Sequence, residues 1–76
     1  MNIYLISQDT NRNYDTFDAA VVTATSAEKA RKMHPRGEGR HSRDDWTQPD
    51  KVTVELLGKA LKGTEESVVL SSYNAG

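Results

Sequence analysis

VTVELLGKAL, residues 52–61, decides the fold. Val52, Val54 and Leu56 alternate with Thr53 and Glu55, the period of a strand with one face buried. Val54, Leu57 and Leu61, with Ala60 beside them, also fall on one stripe of a helix. Gly58 separates the readings, because a mid-helix glycine costs about 1 kcal/mol relative to alanine. The segment is therefore read as a third strand. Residues 61–66 (LKGTEE) form the turn after it, and SVVLSSY, residues 67–73, forms the last strand.

Working outward, Ile3-Tyr4-Leu5-Ile6 is an aromatic and β-branched run, which makes residues 2–8 a strand. DTNRNYD, residues 9–15, has turn chemistry, since Asn and Asp tolerate left-handed backbone. FDAAVVTA, residues 17–24, is the second strand; strict alternation puts Phe17, Ala19, Val21 and Thr23 on one face. Thr25-Ser26-Ala27-Glu28 fits a capping box with Thr25 as the cap. A helix of about nine residues follows, and Pro35 ends it at His34. The predicted class is α+β: a four-stranded, mainly antiparallel sheet with one short helix on one face, in the order β-β-α-loop-β-β. A chain of 76 residues makes a single domain with a modest core. Without cysteine it has neither disulfide nor thiolate metal site. No apolar run approaches the ~20 residues of a membrane span, and the N-terminus lacks the basic flank and apolar length of a signal peptide. These features predict a cytoplasmic protein without a membrane partner.

The remaining segment, HPRGEGRHSRDDWTQPD (residues 34–50), contains Trp46 as its one large apolar side chain. Loops of this length are uncommon and usually functional or disordered. Residues 35–50 are accordingly expected to be a long polar loop. Between positions 29 and 43, six basic residues oppose Glu38 alone. The local charge is +5, so the rest of the chain carries −6 to reach the total of −1. Such asymmetry can steer a charged partner, although a solvated helix face followed by a solvated loop has the same composition. Arg36, Arg40, His41, Arg43 and Trp46 are the candidate partner-binding residues. Trp46 has two readings: an exposed interface anchor, or a buried indole that closes the loop onto the sheet.

Other chemistries fit less well. His34, His41, Asp44 and Asp45 contain metal-ligating types, but the histidines lie seven apart across a loop with Pro and Gly, and Arg40 and Arg43 oppose a cation. His41, Ser42 and Asp44 have the residue types of a hydrolytic triad on one loop, without the held geometry or oxyanion hole a triad needs. No metal, cofactor or catalysis is predicted. A nucleic-acid or nucleotide-binding module could use the same basic residues beside Trp46, against a pI near 6.1 and the Asp44-Asp45 pair. A homodimer through an exposed strand edge or the uncovered sheet face is a third reading.

The chain resembles a group of small proteins encoded by bacteriophages and prophages. The resemblance is carried by Tyr14-Asp15, Phe17-Asp18, Val21-Val22, the Ala27-Glu28-x-Ala30-Arg31 helix with His34-Pro35, Trp46, Pro49-Asp50-Lys51-Val52 and Ser72-Tyr73-Asn74-Ala75-Gly76. It spans most of the chain, by motifs specific together rather than singly. It implies a mobile-element origin and a non-enzymatic protein that binds and inhibits a host protein in the bacterial cytoplasm. A defence component such as a CRISPR effector is the implied target class, which would make the protein anti-CRISPR-like.

Overall fold

The computed structural model describes residues 1–12, 14–37 and 45–74. Four strands, β1 (Asn2–Ser7), β2 (Thr16–Ala24), β3 (Thr53–Lys59) and β4 (Ser67–Asn74), form one antiparallel sheet in the order β3-β1-β2-β4. The short helix α1 (Ala27–Arg31) lies on one face, against β1, β2 and β3. The α+β class follows directly from the alternating segments, and residues 53–59 are strand, as Gly58 argues.

The core is small and one-sided. Tyr4 and Ile6 of β1 stand opposite Val22 and Ala20 of β2, and all four are buried beneath Ala30 of α1 and Trp46. Val52 completes the cluster, with Met33, Val54 and Val68 half-buried at its margin. The opposite face, with Leu5, Val21 and Leu70, has no layer of described residues over it.

Three irregularities in strand register correct the simple alternation. Phe17 pairs with Tyr73 and Ala19 with Ser72, so Asp18 is an extra residue in β2. The extra residue turns the strand and puts Phe17 in the core with Ala20 and Val22 rather than on the face of Ala19 and Val21. Val21 pairs with Leu70 and Val22 with Val68, which leaves Val69 extra in β4 and 61% exposed. Val68 thus points toward the core and Val69 does not. Leu57 is the corresponding extra residue in β3, between the partners of Ile3 and Tyr4.

The helix is shorter than expected, and its cap is Ser26, not Thr25. Ser26 is extended, and its Oγ accepts the Lys29 N–H at 3.2 Å. Two i→i−3 backbone bonds, from Lys32 N–H to Lys29 O and from Met33 N–H to Ala30 O, tighten the last turn. His34 to Gly37 then form a turn closed by Gly37 N–H to His34 O at 2.9 Å. Pro35 supplies the fixed φ favoured at its second position, and Gly37, with φ of 96°, takes the left-handed backbone after it. A second turn, Leu61 to Thr64, joins β3 to β4 with Gly63 at φ 91°, the position where a type II turn requires a positive angle. No helix among the described residues is long and apolar enough to cross a membrane.

Candidate functional site

The described part of the loop is built into the fold. Its end, residues 45–52, contains Trp46 and Thr47 in the interior and a single 3₁₀ turn, Pro49–Lys51. Two neighbours hold this segment. Arg31 at the end of α1 donates through Nη1 to the carbonyls of Val52 and, at 3.4 Å, Pro49. From the β1–β2 connection, Asn11 Nδ2 donates to Trp46 O at 3.0 Å, and the Thr10 and Thr47 hydroxyls meet at 2.8 Å. That connection is itself organised by buried Gln8. Its amide nitrogen reaches the carbonyls of Asn11 and Phe17 at 2.7 and 2.9 Å, and its oxygen accepts the N–H groups of Thr10 and Asn11.

The other end of the loop is clamped to Asp45. His34, buried at the helix exit, donates from Nε2 to Asp45 Oδ1 at 2.9 Å, while its Nδ1 accepts the Arg36 backbone N–H at 3.1 Å. An acceptor Nδ1 with a donor Nε2 is the neutral tautomer. Arg36 Nε donates to the other carboxylate oxygen of Asp45 at 2.6 Å. Partial burial opposes ionisation of Asp45, but hydrogen bonds from Arg36 and His34, with the charge of Arg36, outweigh it. The net effect holds the carboxyl below its usual range. The same carboxylate raises the Arg36 pKa.

An aromatic platform surrounds this clamp. Phe17 meets His34 edge-on at 6.1 Å between centroids and Tyr73 at 4.8 Å. The Arg36 guanidinium lies 5.2 Å from the Phe17 centroid and 5.8 Å from that of Tyr73, within cation–π range. The bulge at Asp18 brings Phe17 to this side, and Tyr73 lies across from it on β4. Beside the platform a trough of about 830 Å³ runs between residues 32–37 and β4. Lys32 and Arg36 line one wall, and Glu65 and Glu66 line it at the entry to β4.

Of the sequence-predicted site residues, Arg36 is exposed at this platform, with its guanidinium held on Asp45. Trp46 is 0% exposed and belongs to the core, so it is the loop's internal anchor and presents nothing to a partner. Arg40, His41 and Arg43 lie outside the described residues, as do Ser42 and Asp44. The helix ends at Arg31, before His34, whose ring is engaged by Asp45 and Arg36. Both ring nitrogens therefore serve the clamp. The sequence reading missed the joint role of Phe17, Asp45 and Tyr73. The one local hint was Asp45 beside Trp46, where apolar character resumes after ten polar or small residues.

No family model matches the chain, and neither the curated proteins nor the solved structures contain a match.

Proposed function

We propose that this chain is a non-enzymatic binding protein that presents its basic segment to a protein of the cell in which it is made. The observation that carries the reading is the His34–Asp45–Arg36 clamp. It joins the two ends of the segment 36–45 and fixes them on the Phe17–Tyr73 platform. A histidine whose Nε2 donates and whose Nδ1 accepts is occupied in holding the loop, so this ring is poorly suited to serve as a general base. Arg40, His41 and Arg43 fall between the two anchored ends in sequence, and pinning the ends lowers the ordering entropy a partner must overcome. A positive segment on a chain of net charge −1 suits steering toward an acidic surface. Resemblance to small phage and prophage proteins supports a host target, with inhibition of a defence component as the biological effect.

The test is capture of partners from nuclease-treated host lysate, comparing the natural chain with Arg40→Glu/Arg43→Glu at two salt concentrations. A protein retained by the natural chain, released by salt and lost from the double variant supports the reading. Equal capture by both chains refutes the role of the basic segment. Binding found in untreated lysate and lost on nuclease treatment identifies the nucleic-acid module instead, because phosphate contacts give a steep salt dependence of their own.

A further inference from the structure

We propose that the outer edge of β4 is a self-association surface, on which a second copy of the chain pairs its own β4 antiparallel to make one eight-stranded sheet across a two-fold axis. β3 and β4 are the two edges of the sheet, and they differ in how they are protected. Natural edges are blunted by charge, proline or bulges. β3 carries Glu55, Lys59 and the Leu57 irregularity. β4, eight residues long, carries no charged residue and no proline, and its one irregularity at Val69 comes near its start. Among the described residues, its outer N–H and C=O groups from Val68 to Tyr73 have no backbone partner beyond β2. Its side chains are no barrier either: Val69 is 61% and Leu70 68% exposed. Such an edge takes an extended strand, because only a strand answers its row of donors and acceptors.

Charge along the strand selects a second copy in antiparallel sense. The trough on the helix side of β4 has Glu65 and Glu66 at the strand's beginning. Arg36 stands over Tyr73 at the other end. Neither glutamate forms an ion pair with another described residue. A two-fold axis normal to the sheet, near Leu70 and Ser71, keeps both helices on one side. It brings Glu65 and Glu66 of each copy to the Arg36 end of the other. The interface is isologous, so each complementary contact occurs twice. A parallel pairing would put the glutamates side by side. Near the axis the two Leu70 side chains become neighbours on the open face, and the protected β3 edges are left outermost.

Sedimentation of the full chain from low micromolar to near-millimolar concentration tests this, together with hydrogen exchange at both ends of the range. The expected result is a monomer–dimer equilibrium in which amides of β4 gain protection with concentration. Leu70→Lys should weaken the dimer at least about tenfold, since like charges meet at the axis. Glu65→Lys/Glu66→Lys, on exposed positions outside the strands, should weaken it as well, and added salt should weaken the unaltered dimer. Circular dichroism melts confirm that each variant is folded; if Leu70→Lys is not, the glutamate variant and the exchange pattern decide. A chain that stays monomeric throughout overturns the proposal. So does a dimer indifferent to the glutamate reversal, or one broken by Glu55→Lys on β3 or Val21→Lys on the open face instead.

Discussion

Replacing Trp46 by alanine should remove most of the stability of this domain. The side chain is fully buried in the core cluster. An indole buries about 150–250 Å², worth about 4–6 kcal/mol at ~25 cal/mol per Å². Allowing for a denatured chain that already shields part of that area lowers this to about 3–5 kcal/mol, the range usual for Trp→Ala in cores. A domain of 76 residues has about 4–11 kcal/mol in all. Trp46→Ala should therefore leave a chain at the edge of unfolding. Trp46→Phe should behave differently. The indole Nε1 is buried and has no hydrogen-bond partner among the described residues, and an unsatisfied buried donor costs about 1–3 kcal/mol. Phenylalanine removes that donor while keeping most of the apolar surface, so the net loss should not exceed about 2 kcal/mol.

Urea unfolding followed by far-ultraviolet circular dichroism gives both numbers, as a shift in midpoint at constant slope. In the natural chain Trp46 is the sole tryptophan, so its fluorescence should be blue-shifted when folded and should change in the same transition. A Trp46→Ala variant within about 1 kcal/mol of the natural chain, the range of ordinary surface substitutions, would refute the placement of the loop end in the core. So would fluorescence that changes at lower urea than the dichroism.

Two further outcomes are expected. Val22→Asp, at a position 0% exposed, should abolish the cooperative melt, whereas Val69→Asp should shift stability by about 1 kcal/mol or less; equal damage from both would contradict the bulge in β4. Asp45→Asn should destabilise the fold at neutral pH. Because the folded Asp45 pKa is depressed, its contribution is complete above the unfolded value of about 3.9 and is lost as pH falls through the folded one. Urea midpoints of the two chains should therefore converge below about pH 4, and a constant gap down to strongly acid pH would show that the charge of Asp45 is not what matters.

The parts of the fold that local pattern determines are those the sequence yields. The apolar and β-branched runs at residues 2–8, 17–24 and 67–73 and the alternation over 52–56, with Gly58 disfavouring helix, are enough for the four-stranded sheet. The boundary signals were weaker guides. Thr25 and Ser26 are both good caps, and only the backbone entering the helix decides that Ser26 holds the Lys29 N–H. Pro35 does mark a stop, but the chain leaves the helix earlier so that His34 O can close the turn to Gly37. Bulges are invisible to a period-two reading, which puts Phe17 on the face of Val21 and gives no sign that Val69 is an extra residue. Asp45 was the hardest. Its role depends on His34 eleven positions earlier and on Tyr73 reaching the same corner from β4, a tertiary arrangement with no sequence period. Trp46 admitted a buried and an exposed reading, and the scarcity of other large side chains in the core favoured the buried one.

Arg36 belongs to both proposals, and this limits what it can test. It anchors Asp45, sits on the platform beside the basic segment, and marks the end of β4 that would receive the partner copy's glutamates. Reversing its charge would disturb the clamp, the partner surface and the two-fold contact together, and a loss of function would assign nothing. Residues on one side only are the informative ones. Glu65 and Glu66 lie at the start of β4, away from the clamp, so their reversal tests self-association and leaves the basic segment intact. Arg40 and Arg43 belong to the basic segment of the sequence and not to β4, so their reversal tests partner binding.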